Sequence, residues 1–97
     1  MITTKQRAYL RSLANGTDAL YQIGKGGISD NLLITLSDAL EARELIKITV
    51  LEACTNTPKE LMPMLCEALG CEAVQVIGRR LSVYRPSKKD PRIVLPK

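Results

Sequence analysis

The sequence predicts a single α/β domain in which helices cover one mixed four-stranded sheet, in the order α-β-α-β-α-β-β. Three observations carry that prediction. Two capping boxes, Thr3–Gln6 and Thr57–Glu60, each precede a stretch with apolar residues at helical spacing. Short apolar runs bounded by glycine or polar residues alternate with the helical stretches. The last two runs are separated by Gly78-Arg79-Arg80, a turn of hairpin size.

Taken in order, Thr3 is placed to accept the amide of Gln6, whose side chain reaches back. Leu10, Leu13 and Ala14 then share one face, so the first helix spans Thr4 to Asn15 with Gly16 as a left-handed stop. It carries Lys5, Arg7 and Arg11, and the two arginines, four apart, share a face. Ala19 to Ile23 is a strand. Only Gln22 in it is polar, so it reads as buried on both faces and therefore central. Ser29 caps a second helix that ends near Arg43. Asp30 and Asn31 suit its first turn, and Leu32, Leu33, Leu36, Ala39 and Leu40 form its apolar stripe. Glu41 and Glu44 flank Arg43 and read as solvated.

Leu45 to Leu51 is the second strand. Ile46, Ile48 and Val50 point one way, Lys47 and Thr49 the other. A strand, a helix and a strand make a right-handed crossover, so these two strands are parallel. The third helix starts with Pro58 at its first position, turns Leu61, Met62, Leu65, Cys66 and Leu69 inward, and stops at Gly70. Ala73–Ile77 and Leu81–Tyr84 form the closing hairpin. Two prolines in a charged stretch follow. They predict a folded domain over residues 1–85 and an irregular basic tail over 86–97.

Composition narrows the function. At 45% hydrophobic and 25% charged residues the chain is ordinary for a globular domain. No apolar run approaches the ~20 residues of a membrane helix, and the polar N-terminus lacks a signal-peptide core, so no membrane is expected and a cytoplasmic location is. There is no histidine, which rules out Ser/His and Cys/His catalytic couples. Cys54, Cys66 and Cys71 show no CxxC spacing, so they read as reduced thiols and no metal site is expected. The net charge of +4 and pI near 9.2 suit RNA or an acidic protein.

The motif that stands out is Gly24-Lys25-Gly26-Gly27, between the first strand and the second helix. It is not a P-loop, because Lys25 is followed by glycine and the GxxxxGK spacing is missing. It is not a dinucleotide fingerprint either, since Ser29 holds the third glycine position. The bland reading is a tight strand-to-helix turn. Three glycines exceed what such a turn needs, however. Unhindered main chain, a helix N-terminus and an ammonium together suit phosphate oxygens. Lys5, Arg7, Arg11, Arg79 and Arg80 are further cations able to share an edge with the loop, the last two placed to fork outward onto phosphates.

Four blocks bear a resemblance. They are Thr4-Lys5-Gln6-Arg7 with Leu10, Leu13 and Ala14; Gln22 through Ile28; Ala39 through Ile48; and Val74 through Arg79 with Leu81, Tyr84 and Arg85. In this order they resemble the bacterial YhbY-like family of single CRM-domain proteins, from about Thr3 to Arg85. The resemblance implies a fold similar to the C-terminal domain of bacterial translation initiation factor three. It implies a non-catalytic RNA-binding protein associated with precursors of the large ribosomal subunit, without cofactor or small-molecule substrate. It also implies that Gly24, Lys25, Gly26 and Gly27 are the GxxG loop that meets RNA.

Independently, the absence of Phe and Trp limits how RNA is read, because modules that read single-stranded bases rely on aromatic platforms. Tyr21 reads as core; Tyr9 and Tyr84 could stack on a base, but read rather as cover for the domain's own apolar surface. Phosphate contact and RNA shape remain. The alternative is an interaction module whose basic face meets an acidic protein.

Overall fold

The structure, a computed structural model, describes residues 2–96. Its elements are α1 (Thr4–Asn15), β1 (Ala19–Ile23), α2 (Asp30–Arg43), β2 (Leu45–Val50), α3 (Pro58–Leu69), β3 (Glu72–Ile77) and β4 (Arg80–Tyr84). The order is the expected one. Met1 and Lys97, the outer limits of the two expected ranges, lie outside the described residues. No helix among the described residues is long and apolar enough to cross a membrane.

Local chemistry starts and stops the helices. The Thr3 hydroxyl accepts from the Gln6 amide at 3.1 Å, and the Gln6 side chain accepts from the Thr3 amide at 2.9 Å. Thr57 and Glu60 repeat the exchange at 3.2 and 2.8 Å. Each pair satisfies two donors that a helix start leaves open. Gly70 ends α3 with φ at 63°, as a left-handed cap. Gly16 does not behave this way, contrary to expectation: its φ is −98°. Helix α1 instead tightens, with the Gly16 amide donating to Leu13 and the Thr17 amide to Ala14.

The strand order is β1-β2-β4-β3, with β1 parallel to β2 and the other pairs antiparallel. The parallel pair is as expected. The central position of β1 is not. It is an edge strand, and β2 and β4 hold the centre. The α2 crossover lays β2 beside β1, and β4 then takes β2's other side. Leu20 and Gln22 are accordingly exposed, while Tyr21 and Ile23 face the core.

One face of the sheet presents Ile46, Ile48, Val50, Leu81 and Val83 to α2 and α3, which supply Leu36, Leu40, Leu61 and Leu65. On the reverse face Leu45, Val74 and Tyr84 pack against Leu10 and Ala14 of α1. Tyr84 therefore covers the domain's own apolar surface, as expected. A bulge helps. Ala73 pairs with Val83 and Gln75 with Ser82, so β3 carries one extra residue there. That lets both Val74 and Gln75 face α1. Helix α1 covers only half of the reverse face. Lys47 and Thr49 beyond it are half-buried, and Arg80 is exposed.

The segment after Arg85 has no helix or strand, but it is docked. Ile93 and Leu95 pack against the α1 cluster, and the Gln6 side chain donates to the Pro96 carbonyl. Two carboxylates hold the segment, and both correct the expectation of solvated acids. Glu44 is fully buried and accepts the amides of Ser87, Arg92 and Ile93 at 2.9, 2.6 and 2.8 Å. Glu41 accepts from the Ser87 hydroxyl and the amides of Lys88 and Lys89. Burial pushes the Glu44 carboxyl up, but the three amides together outweigh it and hold the group below its ordinary 4.5. Arg85 closes the other side, donating to the Leu69 carbonyl and to both oxygens of Ser37, and so ties α3 to α2.

A depressed folded-state carboxyl gives stability that is present above the unfolded value and lost as pH falls through the folded one. Glu44→Gln is therefore expected to lower unfolding free energy by about 2 kcal/mol at pH 7. The difference from the unaltered chain shrinks below about pH 4.5. Urea titrations across pH 3–7 check this, and parallel curves contradict it.

Candidate nucleic-acid interface

Three chain segments meet at the carboxyl ends of the two parallel strands. Main chain leaving β1 enters Gly24–Gly27, main chain leaving β2 enters Leu51, and the β3–β4 turn arrives at Gly78-Arg79. Crevices at such strand ends are where open α/β sheets hold ligands. The first two segments are stitched together by the Leu51 amide, which donates to the Ile23 carbonyl at 2.8 Å. The third is stitched by Arg79. Its Nε donates to the Val50 carbonyl at 2.8 Å and one Nη to the Leu51 carbonyl at 2.7 Å. The Val50 amide donates in return to the Arg79 carbonyl.

The loop is a tight turn. The Gly27 amide donates to the Gly24 carbonyl at 2.9 Å, and Gly27 has φ at 63°. A Cβ built on Gly26 or Gly27 meets nothing within 4 Å, and one on Gly24 meets only Leu51 at 3.6 Å, an ordinary contact. The glycines are thus not packed beneath neighbours. Among the described residues the amides of Lys25 and Gly26 have no hydrogen-bond partner, and the exposed Lys25 has neither an ion pair nor a hydrogen bond. What the turn offers an anion is main chain at van der Waals distance, two open donors and one ammonium. The start of α2 adds less than its position suggests. It begins at Asp30, beyond the half-buried Ile28, and its Leu32 amide already donates to the Ser29 hydroxyl. Asp30 also places a carboxylate at the positive end of the helix.

The nine residues singled out in the sequence divide. Gly24, Lys25, Gly26, Gly27, Arg79 and Arg80 lie at this end of the sheet. Arg79 is not free to fork outward, since two of its donors are committed to carbonyls. It holds the site together and leaves its charge beside the loop. Arg80 is exposed and, among the described residues, has no partner. Lys5, Arg7 and Arg11 lie along α1. Arg7 donates from Nε to the Ala73 carbonyl at 2.9 Å, at the start of β3 and so at the far end of the hairpin from Gly78. It too is structural. Lys5 and Arg11 are exposed.

The cysteines are free. Burial pushes the Cys71 thiol up to about 12, with Cys66 beside it adding to the effect, so this sulfur is a packed group and not a nucleophile.

Residues 2–85 match the family model of the CRS1 / YhbY (CRM) domain. The chain belongs to the CRM-domain family. This CRM domain is 40% identical over 96 residues to "Probable RNA-binding protein YqeI" of Bacillus subtilis (strain 168), covering 99% of this chain and 100% of that one. It is 31% identical to an "RNA-binding protein" of Haemophilus influenzae, covering 99% and 96%. Its fold superposes on the solution structure of SAV1595 from Staphylococcus aureus with a TM-score of 0.83, at 50% identity and 99% and 100% coverage. The CRM match ends at Arg85, whereas the docked segment continues to Pro96. Sequence reasoning missed the Arg79 clasp and the Glu44 anchor. The only signal for either was a charged residue at a turn or helix end.

The geometry separates the two loop glycines. Gly27→Ala forces a Cβ into a positive-φ turn and is expected to cost about 1 kcal/mol. Gly26→Ala, in open space without positive φ, is expected to leave stability within about 0.5 kcal/mol. Thermal unfolding of both variants decides, and equal losses contradict the assigned turn.

Proposed function

We propose that this chain is a non-catalytic RNA-binding protein that engages precursor ribosomal RNA of the large subunit, through the GxxG loop Gly24–Gly27 and the cations around it. The observation that supports it most is the open loop backbone beside the unpaired Lys25. No Cβ stands between that main chain and an approaching phosphate, and the donors it presents are unspent. The RNA-binding names of two relatives in the same family support RNA as the polyanion. The ribosomal assignment, and with it a cytoplasmic place of action, rests on the YhbY-like resemblance.

Recognition then runs through backbone phosphates and RNA shape. Of the three tyrosines, Tyr84 is buried and Tyr21 packs on the core, leaving only Tyr9 with a substantially exposed ring. Binding of this kind is salt-dependent and weakly sequence-specific.

Lys25→Glu is the variant of choice, because the exposed Lys25 side chain makes no hydrogen bond or ion pair among the described residues, whereas Arg79 holds two carbonyls. It is expected to weaken binding to a large-subunit ribosomal RNA transcript and to flatten the log K against log salt plot by roughly 0.7–0.9, one phosphate's worth. An unchanged slope in a folded variant removes the loop from the site. Crosslinking in cells followed by sequencing of the attached RNA tests the target. Reads spread over all cellular RNA contradict the ribosomal assignment, and co-purification of an acidic protein that survives ribonuclease supports the rival interaction module.

A further inference from the structure

The half of the reverse sheet face that α1 leaves uncovered is not a flat surface. Two hollows lie on it. One, of about 620 Å³, is lined by Gln22, Lys47, Thr49 and Arg80 together with the Asn15–Ala19 connection. The other, of about 400 Å³, is lined by Lys47, Arg43 and Arg92 with part of β1. They share Thr17, Asp18 and Lys47, so they adjoin along one side of the sheet. Strand register orders the floor. Gln22 pairs with Thr49, and Thr49 with Arg80, in one row across β1, β2 and β4. Lys47 is two residues back along β2, beside Ala19. Its Cα is a diagonal neighbour of that of Arg80, at about 7–8 Å, so the two cations rise from neighbouring points of one sheet face.

The row begins two residues before Gly24. We propose that this trough is a second RNA-contact track, carrying a single strand from the Gly24–Gly27 loop across Arg80 and Lys47 to Arg43 and Arg92. The inference rests on the RNA-binding reading of the loop and extends it to residues that reading does not use. Charge complementarity identifies the occupant. Four cations line the path against one carboxylate, Asp18, which stands where the hollows join. A phosphate is repelled there, but a ribose 2′-hydroxyl can donate to it, and the neutral Gln22 and Thr49 likewise suit sugar or base edges. Arg92 belongs to the segment beyond the family match, and the Glu44 carboxylate holds its amide at 2.6 Å. The docked segment thereby contributes a cation to the track. Arg92 is itself exposed, with one solvent-screened pairing to Asp90 at 3.4 Å that a phosphate outcompetes.

The test uses the full chain and a large-subunit ribosomal RNA transcript. Arg43→Ala/Arg92→Ala changes two exposed side chains, and adding Lys47→Gln removes one more of the four cations, leaving Arg80. With single-strand contacts worth roughly 0.7 each in salt slope, the triple variant is expected to lose about two units of slope and about a hundredfold in affinity at 0.1 M salt. The double variant loses about two-thirds of that slope while its thermal unfolding is unchanged. RNA is also expected to protect Lys47 from acetylation in the unaltered chain and to leave Lys59, on α3 across the sheet, reactive. Loss of binding in Lys25→Glu with full binding in the double and triple variants overturns the track and leaves the loop standing. Failure of the unaltered chain to bind the transcript overturns both.

Discussion

A buried carboxylate at the junction of α2 and β2 governs how this domain closes. Glu44 adopts φ of 66°, in a region that L residues rarely occupy, and turns the crossover helix directly into the central strand. Its carbonyl accepts the Arg85 amide, and its side chain accepts three amides from the segment beyond. A carboxylate taken out of water is costly unless its lone pairs are filled. Here they are filled by main chain with no other partner, so the cost of burial and the need to dock the C-terminal segment offset each other. Removing either leaves the other unsatisfied, which makes the segment part of the folded unit although it has no regular structure.

The candidate interface depends on a comparable exchange at the opposite end of the sheet. Two carbonyls leaving β2 need donors, and Arg79 supplies them while returning its own carbonyl to Val50. The guanidinium thereby fixes the hairpin turn against the glycine loop and keeps a full positive charge there. The loop itself can stay bare because its geometry is set by one internal hydrogen bond and by the strands on either side. A preformed turn gives up little conformational entropy when it meets a ligand. The sheet face beside it stays uncovered because α1 packs over Leu45, Val74 and Tyr84. The helix ends at Asn15, level with Gln75, whose side-chain amide donates to Asn15 at 3.3 Å.

Much of this was legible in the residues, and the exceptions have a common cause. Both capping boxes, the proline at the start of α3, the left-handed Gly70 and the alternation of Lys47 and Thr49 with Ile46, Ile48 and Val50 depend on neighbours within four positions. Those neighbours are visible in the string. The edge position of β1 was not, because a five-residue apolar run reads the same at the centre of a sheet and at its rim. The solvated reading of Glu41 and Glu44 failed for a related reason: their partners lie 43 to 49 positions away. Arg79 was identified as a cation at the right place, but its commitment to Val50 and Leu51, 29 and 28 positions distant, was invisible.

By itself, then, the sequence determined the elements, their order, the parallel pairing of the first two strands and the glycine loop with its lysine. These follow from local hydrogen bonding and apolar periodicity. Only the tertiary structure decided which strand stands at the edge, which arginines hold carbonyls and which face solvent, and that the last segment docks. Those outcomes depend on which unsatisfied polar groups come into reach once the chain is compact, and no local pattern encodes that.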